Sequence, residues 1–173
     1  MAYWGMFIRP AEPADALAVA RVHVRSWQAA YRGLIDDGYL DSLRPEDRAA
    51  RYNFSHVDPL LPYTQVALDA DQVVGFATTM PSRDADACND GELAALYVDP
   101  EQWGRGFGVA LMAAARVRLV ERGFTQAILW ILAGNQRAAR FYEKDGWRAD
   151  GTERVQKMWD VELNELRYRC TLV

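Results

Sequence analysis

The sequence predicts a mixed α/β domain, antiparallel in its first half and parallel at its centre. Helical apolar spacing between Asp15 and Tyr31 gives way to strand-like runs after Pro62. A strand-like run, Leu93 to Val98, then leads through a helix-like run, Gly108 to Arg122, into an unbroken apolar run, Ala127 to Leu132. Strand, helix and strand in that order imply a right-handed crossover between two parallel strands.

The elements follow in chain order. Phe7 to Arg9 reads as a short first strand stopped by Pro10, and Leu17, Ala20, Val24 and Trp27 mark the buried face of the first helix. Pro13 and Asp15 are its start signals and Gly33 its stop. Ile35 to Leu43 and Pro45 to Phe54 predict two further short helices. Thr64 to Asp69 and Val73 to Thr79, joined by Ala70-Asp71-Gln72, suit an antiparallel hairpin. Pro100 ends the Leu93 to Val98 strand, and Leu111, Met112, Ala115 and Leu119 form the apolar stripe of the helix closed by Gly123. Ala127 to Leu132 has no polar alternation, as expected of a strand covered on both faces. Asn135 caps a helix running to about Asp145. Trp147 to Thr152 and Leu166 to Leu172 are the last strands, separated by a segment around Met158 to Asn164 with no clear period.

Composition narrows the function. No repeat or low-complexity linker divides the 173 residues, so one domain spanning 1–173, with a core from about 8 to 172, is expected. Half of the residues are apolar, enough for a substantial core. A net charge of -4 argues against a generic nucleic-acid binder. Cys88 and Cys170 are far apart, and His23 and His56 are isolated, so neither a disulfide framework nor a metal site is expected. Met1 to Phe7 is too short and uncharged for a signal peptide, and no apolar run approaches membrane-spanning length. A cytoplasmic protein without a membrane partner is the expectation. Arg105, Arg116, Arg118 and Arg122 form a basic group near a glycine cluster, while Asp84, Asp86, Asp90 and Glu92 crowd one short segment. The separation hints at one anionic and one cationic ligand.

The glycine cluster is Trp103-Gly104-Arg105-Gly106-Phe107-Gly108, at the handover from strand to helix. Successive N–H groups in such a turn make a concave anion site, and the following helix adds the positive end of its dipole. The same glycines also suit a tight turn and close packing of helix on sheet. A dinucleotide fingerprint is disfavoured, because the glycines alternate strictly and lie in the second half of the chain.

Taken together, Glu92-Leu93-Ala94-Ala95-Leu96-Tyr97-Val98-Asp99-Pro100, the glycine cluster, and Asn135-Gln136-Arg137-Ala138-Ala139-Arg140-Phe141-Tyr142-Glu143-Lys144-Asp145-Gly146-Trp147 resemble the acyl-CoA core of the GNAT superfamily of N-acetyltransferases. The resemblance implies a mixed, twisted sheet of about seven strands, with an antiparallel N-terminal half, a central splayed parallel pair and flanking helices. It implies acetyl-CoA as co-substrate and no metal. By resemblance, the backbone of Gly104, Arg105, Gly106, Phe107, Gly108 and Val109 holds the pyrophosphate. The edge at Leu96, Tyr97 and Val98 pairs with the pantetheine arm, and a main-chain N–H there polarises the thioester carbonyl. One departure is Trp103, where the family usually carries Gln or Arg.

Tyr142 matches the family's general acid for the departing thiolate, and Asn135, about two helical turns earlier, matches a contact to the cofactor near its thioester end. On spacing alone, Asn135 reads rather as a helix cap and Tyr142 as a packed ring. Glu92, at the start of the cofactor strand, is the expected base, acting directly or through a water, with a solvated loop-end carboxylate as the alternative. Some peptide-acetylating relatives use a glutamate where this chain has Trp130. Trp27 and Tyr31, together with Tyr39 and Tyr63, are expected to wall the acceptor pocket, suited to a small cationic amine. The expected reaction is direct acetyl transfer to a primary amine of a small molecule or peptide. A non-enzymatic acyl-CoA-binding module is the alternative. Whether the late strands exchange between subunits in a homodimer stays open.

Overall fold

A computed structural model describes residues 5–55, 57–158 and 160–173. His56 and the start of the apolar segment from Met1 to Phe7 lie outside them. Seven strands form one sheet in the order β1-β2-β3-β4-β5-β7-β6. They are β1 (Met6–Pro10), β2 (Tyr63–Asp69), β3 (Gln72–Pro81), β4 (Gly91–Val98), β5 (Gln126–Leu132), β6 (Arg148–Met158) and β7 (Val161–Thr171). Among the described residues, the α-helices are α1 (Ala16–Ala30), α2 (Asp37–Ser42), α3 (Pro45–Ala49), α4 (Phe107–Glu121) and α5 (Gln136–Lys144). The expected mixed sheet is present, and among the described residues only the strands β4 and β5 pair in parallel.

Each helix goes where its sequence pattern sends it. Val19, Val22 and Trp27 of α1 are buried, the first two against Val66 of β2 and Phe76 of β3. Leu111, Met112, Ala115 and Leu119 of α4 pack in a second, larger cluster with Leu93 and Val98 of β4 and Leu129 and Ile131 of β5. The two clusters flank the central strands, which explains why β5 carries no polar alternation. Tyr142 and Trp147 join the α4 cluster and tie α5 to it.

Three expectations about boundaries needed revision. The second and third short helices are briefer than predicted, because Leu43 is extended before Pro45 and regular helix ends at Ala49. The aperiodic segment from Met158 to Asn164 belongs to a long antiparallel hairpin, with Met158 opposite Val161 and Arg154 opposite Glu165. Its exposed outer positions gave no apolar signal for a strand, since β6 is an edge with mostly exposed or half-buried residues.

The parallel pair is the feature that shapes the site. β4 and β5 are in register only at Gly91 with Ala127 and Glu92 with Ile128, and beyond Glu92 they part. Across β3, Thr79 faces Leu93 while Thr78 faces Ala95, so Ala94 is an extra residue in β4. Such a bulge bends its strand and reverses the side-chain alternation after it. Glu92 and Tyr97, five positions apart, consequently line the same cleft.

Candidate active site

The glycine turn begins the site. Gly104 and Gly106 have φ of +78° and +91°, the left-handed region, and Gly106 sits immediately before α4. An added Cβ at Gly104 would meet no atom within 4 Å, so conformation rather than space calls for glycine there. Among the described residues, no protein acceptor serves the N–H groups from Gly104 to Val109; the first to be satisfied is Ala110, which donates to the Gly106 carbonyl. A row of unpaired amides at a helix start is an anion-binding arrangement.

The arginines expected to reinforce this turn do not converge on it. Arg105 pairs with Asp69 and Gln102, and Arg116 with Asp145 and the Cys170 sulfur. Arg118 lies over the Tyr63 ring, 4.0 Å from its centroid, and Arg122 reaches the Pro59 carbonyl. Helical spacing sends the last three around α4 and away from its N-terminus. The turn's anion-binding capacity is a backbone property.

Trp103, the departure from the family pattern, has a definite place. Its indole N–H donates to the Val98 carbonyl at 2.8 Å, and the Ser26 hydroxyl donates to the same oxygen at 2.9 Å. The Arg137 guanidinium lies 3.3 Å from the centroid of the Trp103 ring. Trp103 thereby joins the end of β4, the glycine turn and α5, while Ser26 adds α1. Sequence reasoning registered only the loss of a polar side chain at Trp103 and missed Ser26, whose partner is 72 residues away.

The expected strand edge is available. The divergence of β4 from β5 leaves Leu96, Tyr97 and Val98 beyond the last parallel pair. Leu96 and Val98 pack toward the α4 cluster, whereas Tyr97 packs toward α1 and stacks on His23, 4.6 Å between centroids. Asn135 caps α5, its Oδ1 accepting from the Ala138 N–H at 3.2 Å. Tyr142 is buried, with Phe141 and Trp147 edge-on to its ring. Burial, and secondarily the nearby Tyr97, hold its phenol pKa well above the usual value. Among the described residues, its hydroxyl has no hydrogen-bond partner.

A cleft of about 490 Å³, its open mouth included, gathers several of the expected acceptor residues. Trp27 and Tyr31 line it, as do Glu92, Tyr97 and Trp130. The Trp27 indole donates to the Tyr97 hydroxyl at 3.2 Å, and the Tyr31 hydroxyl is 3.4 Å from it. Burial raises the pKa of both tyrosines. Glu92 is 3 % exposed: Oε1 accepts from Arg83 at 3.0 Å, and Oε2 is enclosed without a partner. It is therefore no solvated loop-end carboxylate. Arg83, Arg154 and Glu165 also line the cleft and were not anticipated. The signal for the latter two was their alternation on β6 and β7, hidden because the expected strands stop at Thr152 and begin only at Leu166.

Two expectations fail here. Tyr63 lines a different cavity, beside Arg118 and Phe124, and Tyr39 packs against the cluster of Trp27, Tyr31 and Leu40 without lining the cleft, its hydroxyl accepting from the Asp160 N–H. The acidic segment is not a free cation site either. Asp84 and Asp86 bind Arg167, Asp90 binds Arg169, and Glu92 binds Arg83. Tertiary pairing with β7 neutralises charges that crowd together in sequence.

These features agree with comparison to known proteins. The sequence profile of the Acetyltransferase (GNAT) family matches residues 24–147. The chain belongs to this family. It is 32 % identical over 129 residues to the uncharacterised N-acetyltransferase YuaI of Bacillus subtilis, covering 74 % of this chain and 72 % of that one. It is 31 % identical over 128 residues to phosphinothricin N-acetyltransferase of Streptomyces coelicolor, covering 70 % and 74 %. A match to mycothiol acetyltransferase of Kocuria rhizophila, 38 % identical, spans 47 % of this chain and only 28 % of that longer protein. Among solved structures, PaiA N-acetyltransferase from Thermoplasma acidophilum in complex with coenzyme A superimposes with a TM-score of 0.74 at 20 % identity, over 96 % of this chain and 98 % of that one. Among the described residues, no group of metal-ligating side chains is present and no helix is long and apolar enough to cross a membrane.

Proposed function

We propose that the protein transfers an acetyl group from acetyl-CoA directly to a primary amine of a small molecule or peptide. The observation carrying this reading is the parting of β4 from β5 beyond Glu92, beside a turn whose amides from Gly104 to Val109 have no protein acceptor. The freed edge at Leu96, Tyr97 and Val98 suits an amide-rich arm added like a strand, and the turn suits a pyrophosphate. Since the Val98 carbonyl is already committed to Ser26 and Trp103, other backbone groups of that edge supply the pairing.

In the reaction the amine nitrogen bonds to the thioester carbonyl carbon, and the carbon–sulfur bond breaks. Glu92, directly or through a water, takes the proton that the amine loses. Tyr142 gives its phenolic proton to the departing sulfur, and its raised pKa keeps that proton in place at neutral pH. Asn135 positions the cofactor near its thioester end, with the amide nitrogen that capping leaves free. Orientation supplies much of the rate, because amines attack thioesters readily once aligned.

Relatives named for small-molecule and for protein acceptors both occur: phosphinothricin N-acetyltransferase of Streptomyces coelicolor, and the ribosomal-protein-S18-alanine N-acetyltransferase of Escherichia coli, with a TM-score of 0.65 at 19 % identity. The test is release of free thiol from acetyl-CoA with a panel of amines. Amine-dependent release is expected; CoA binding without any such release would reduce the protein to an acyl-CoA-binding module.

A further inference from the structure

The cleft between α1 and the splayed strands has a charge pattern of its own. Two carboxylates, Glu92 and Glu165, and two guanidiniums, Arg83 and Arg154, line it. Arg83 donates to Glu92 Oε1 at 3.0 Å, and Arg154 Nε donates to Glu165 Oε2 at 2.7 Å. Both carboxylates are nine-tenths buried or more. The four charges sum to zero, so the cleft has no excess negative charge with which to hold a polycation.

The pairing is incomplete on both sides. Glu92 Oε2 is buried with no partner among the described residues, although leaving a buried carboxylate oxygen bare is costly. Each guanidinium presents five N–H donors. Among the described residues, Arg83 and Arg154 each spend one of these in hydrogen bonding, on Glu92 and Glu165 respectively, and Arg154 Nη1 also lies 3.8 Å from the Asp84 carboxylate. The Arg154 guanidinium carbon lies 4.0 Å from the centroid of the Trp130 ring, a cation–π contact within the cleft. Arg83 is half-exposed at the mouth. One bare acceptor therefore lies in the wall of a cleft that also offers spare donors.

From this geometry we infer that the cleft takes a compact zwitterion: its amine lies at Glu92 Oε2, and an oxyanion attached to the same small molecule is bound by Arg83 and Arg154. This rests on the cleft being the acceptor site of the transferase. The aromatic groups Trp27, Tyr31 and Tyr97 close the remaining wall. A simple amine would fill the bare acceptor and leave the guanidiniums unused, whereas a diamine would place its second positive charge against them.

The test compares acceptors of equal skeleton: aminocarboxylates, the matching aminophosphonates, their carboxamides, and the amines lacking the acidic group. With the wild-type protein, the two oxyanion series should exceed the carboxamides and simple amines in kcat/KM by about 10-fold or more, as expected when a charged hydrogen bond is lost. Arg83→Gln keeps a donor for Glu92 and should raise KM about 10-fold for the oxyanion series, with a much smaller rise for the carboxamides and simple amines. Arg83→Lys should recover part of the loss. Because Arg154→Gln alone strands Glu165, the paired variant Arg154→Gln/Glu165→Gln serves for the second guanidinium, with CoA titration reporting that the donor site is intact. Equal or better turnover of carboxamides or simple amines by the wild-type protein would overturn the zwitterion while leaving acetyl transfer standing. CoA binding without turnover of any series would overturn the transferase reading, and the acceptor assignment with it.

Discussion

At Tyr142 two demands meet in one side chain. Its ring completes the α4 cluster beside Trp147, and burial of the side chain holds its phenol pKa well above the ordinary range. Tyr142→Phe retains the ring, so CoA affinity and melting temperature should change little while kcat falls about 10²-fold or more. Steady-state kinetics beside a CoA titration measure both; a collapse of affinity would make the residue structural. Since the raised pKa leaves Tyr142 protonated, kcat should show no alkaline decline from this group below about pH 10. His23 works in the opposite sense. Burial first, and the Arg48 charge second, lower its pKa well below 6.5. The unfolded chain takes up this proton below about pH 6.5 and the folded chain does not, so stability is full above that pH and declines as pH falls. Urea unfolding at pH 7 and pH 5 should show a lower midpoint at pH 5, with a smaller difference in a folded His23→Gln variant.

Among the elements, turns and bulges do more for the site than regular structure. Gly106→Ala forces a side chain into a left-handed conformation at the start of α4, at about 1–2 kcal/mol. CoA affinity should fall more than that cost alone implies, because the unpaired amides following it change direction; calorimetric titration checks this. Ala70 is the converse case, a non-glycine residue at φ +53° in the β2–β3 turn. Ala70→Gly should raise stability by about 0.5–1 kcal/mol, read as an unchanged slope and a higher midpoint in urea. The β4 bulge at Ala94 was not legible. A bulge changes register without changing hydrophobic composition, and here it brings Glu92 and Tyr97 to one cleft. β6 and β7 were only half legible, because an edge hairpin with solvated outer positions lacks the apolar run that marks a buried strand.

Across the whole molecule, Arg167 is the tie between distant segments. It is buried on β7 and binds Asp84 and Asp86 of the loop before β4, and Asp150 of β6. Arg167→Met should lower stability by about 2–3 kcal/mol, since it leaves enclosed carboxylates short of partners. A denaturation midpoint measures it, and Asp86→Asn, altering a mostly exposed partner, should cost much less.

The sequence by itself determined the fold family, the crossover and the glycine turn. These rest on local periodicity and on conformations that few residues adopt, so adjacent residues suffice to specify them. It also put Trp27 and Tyr31 in one acceptor pocket and named Glu92 and Tyr97 on the cofactor strand, without showing that all four line the same cleft. Only the tertiary structure decided that the acidic segment is neutralised by β7, that Tyr63 belongs elsewhere, and that Arg83, Arg154 and Glu165 share the cleft with Glu92. The reason is physical: charge pairing and cleft walls depend on which strands lie side by side, and the residues concerned come from segments as much as 138 positions apart, Trp27 and Glu165 being the extremes.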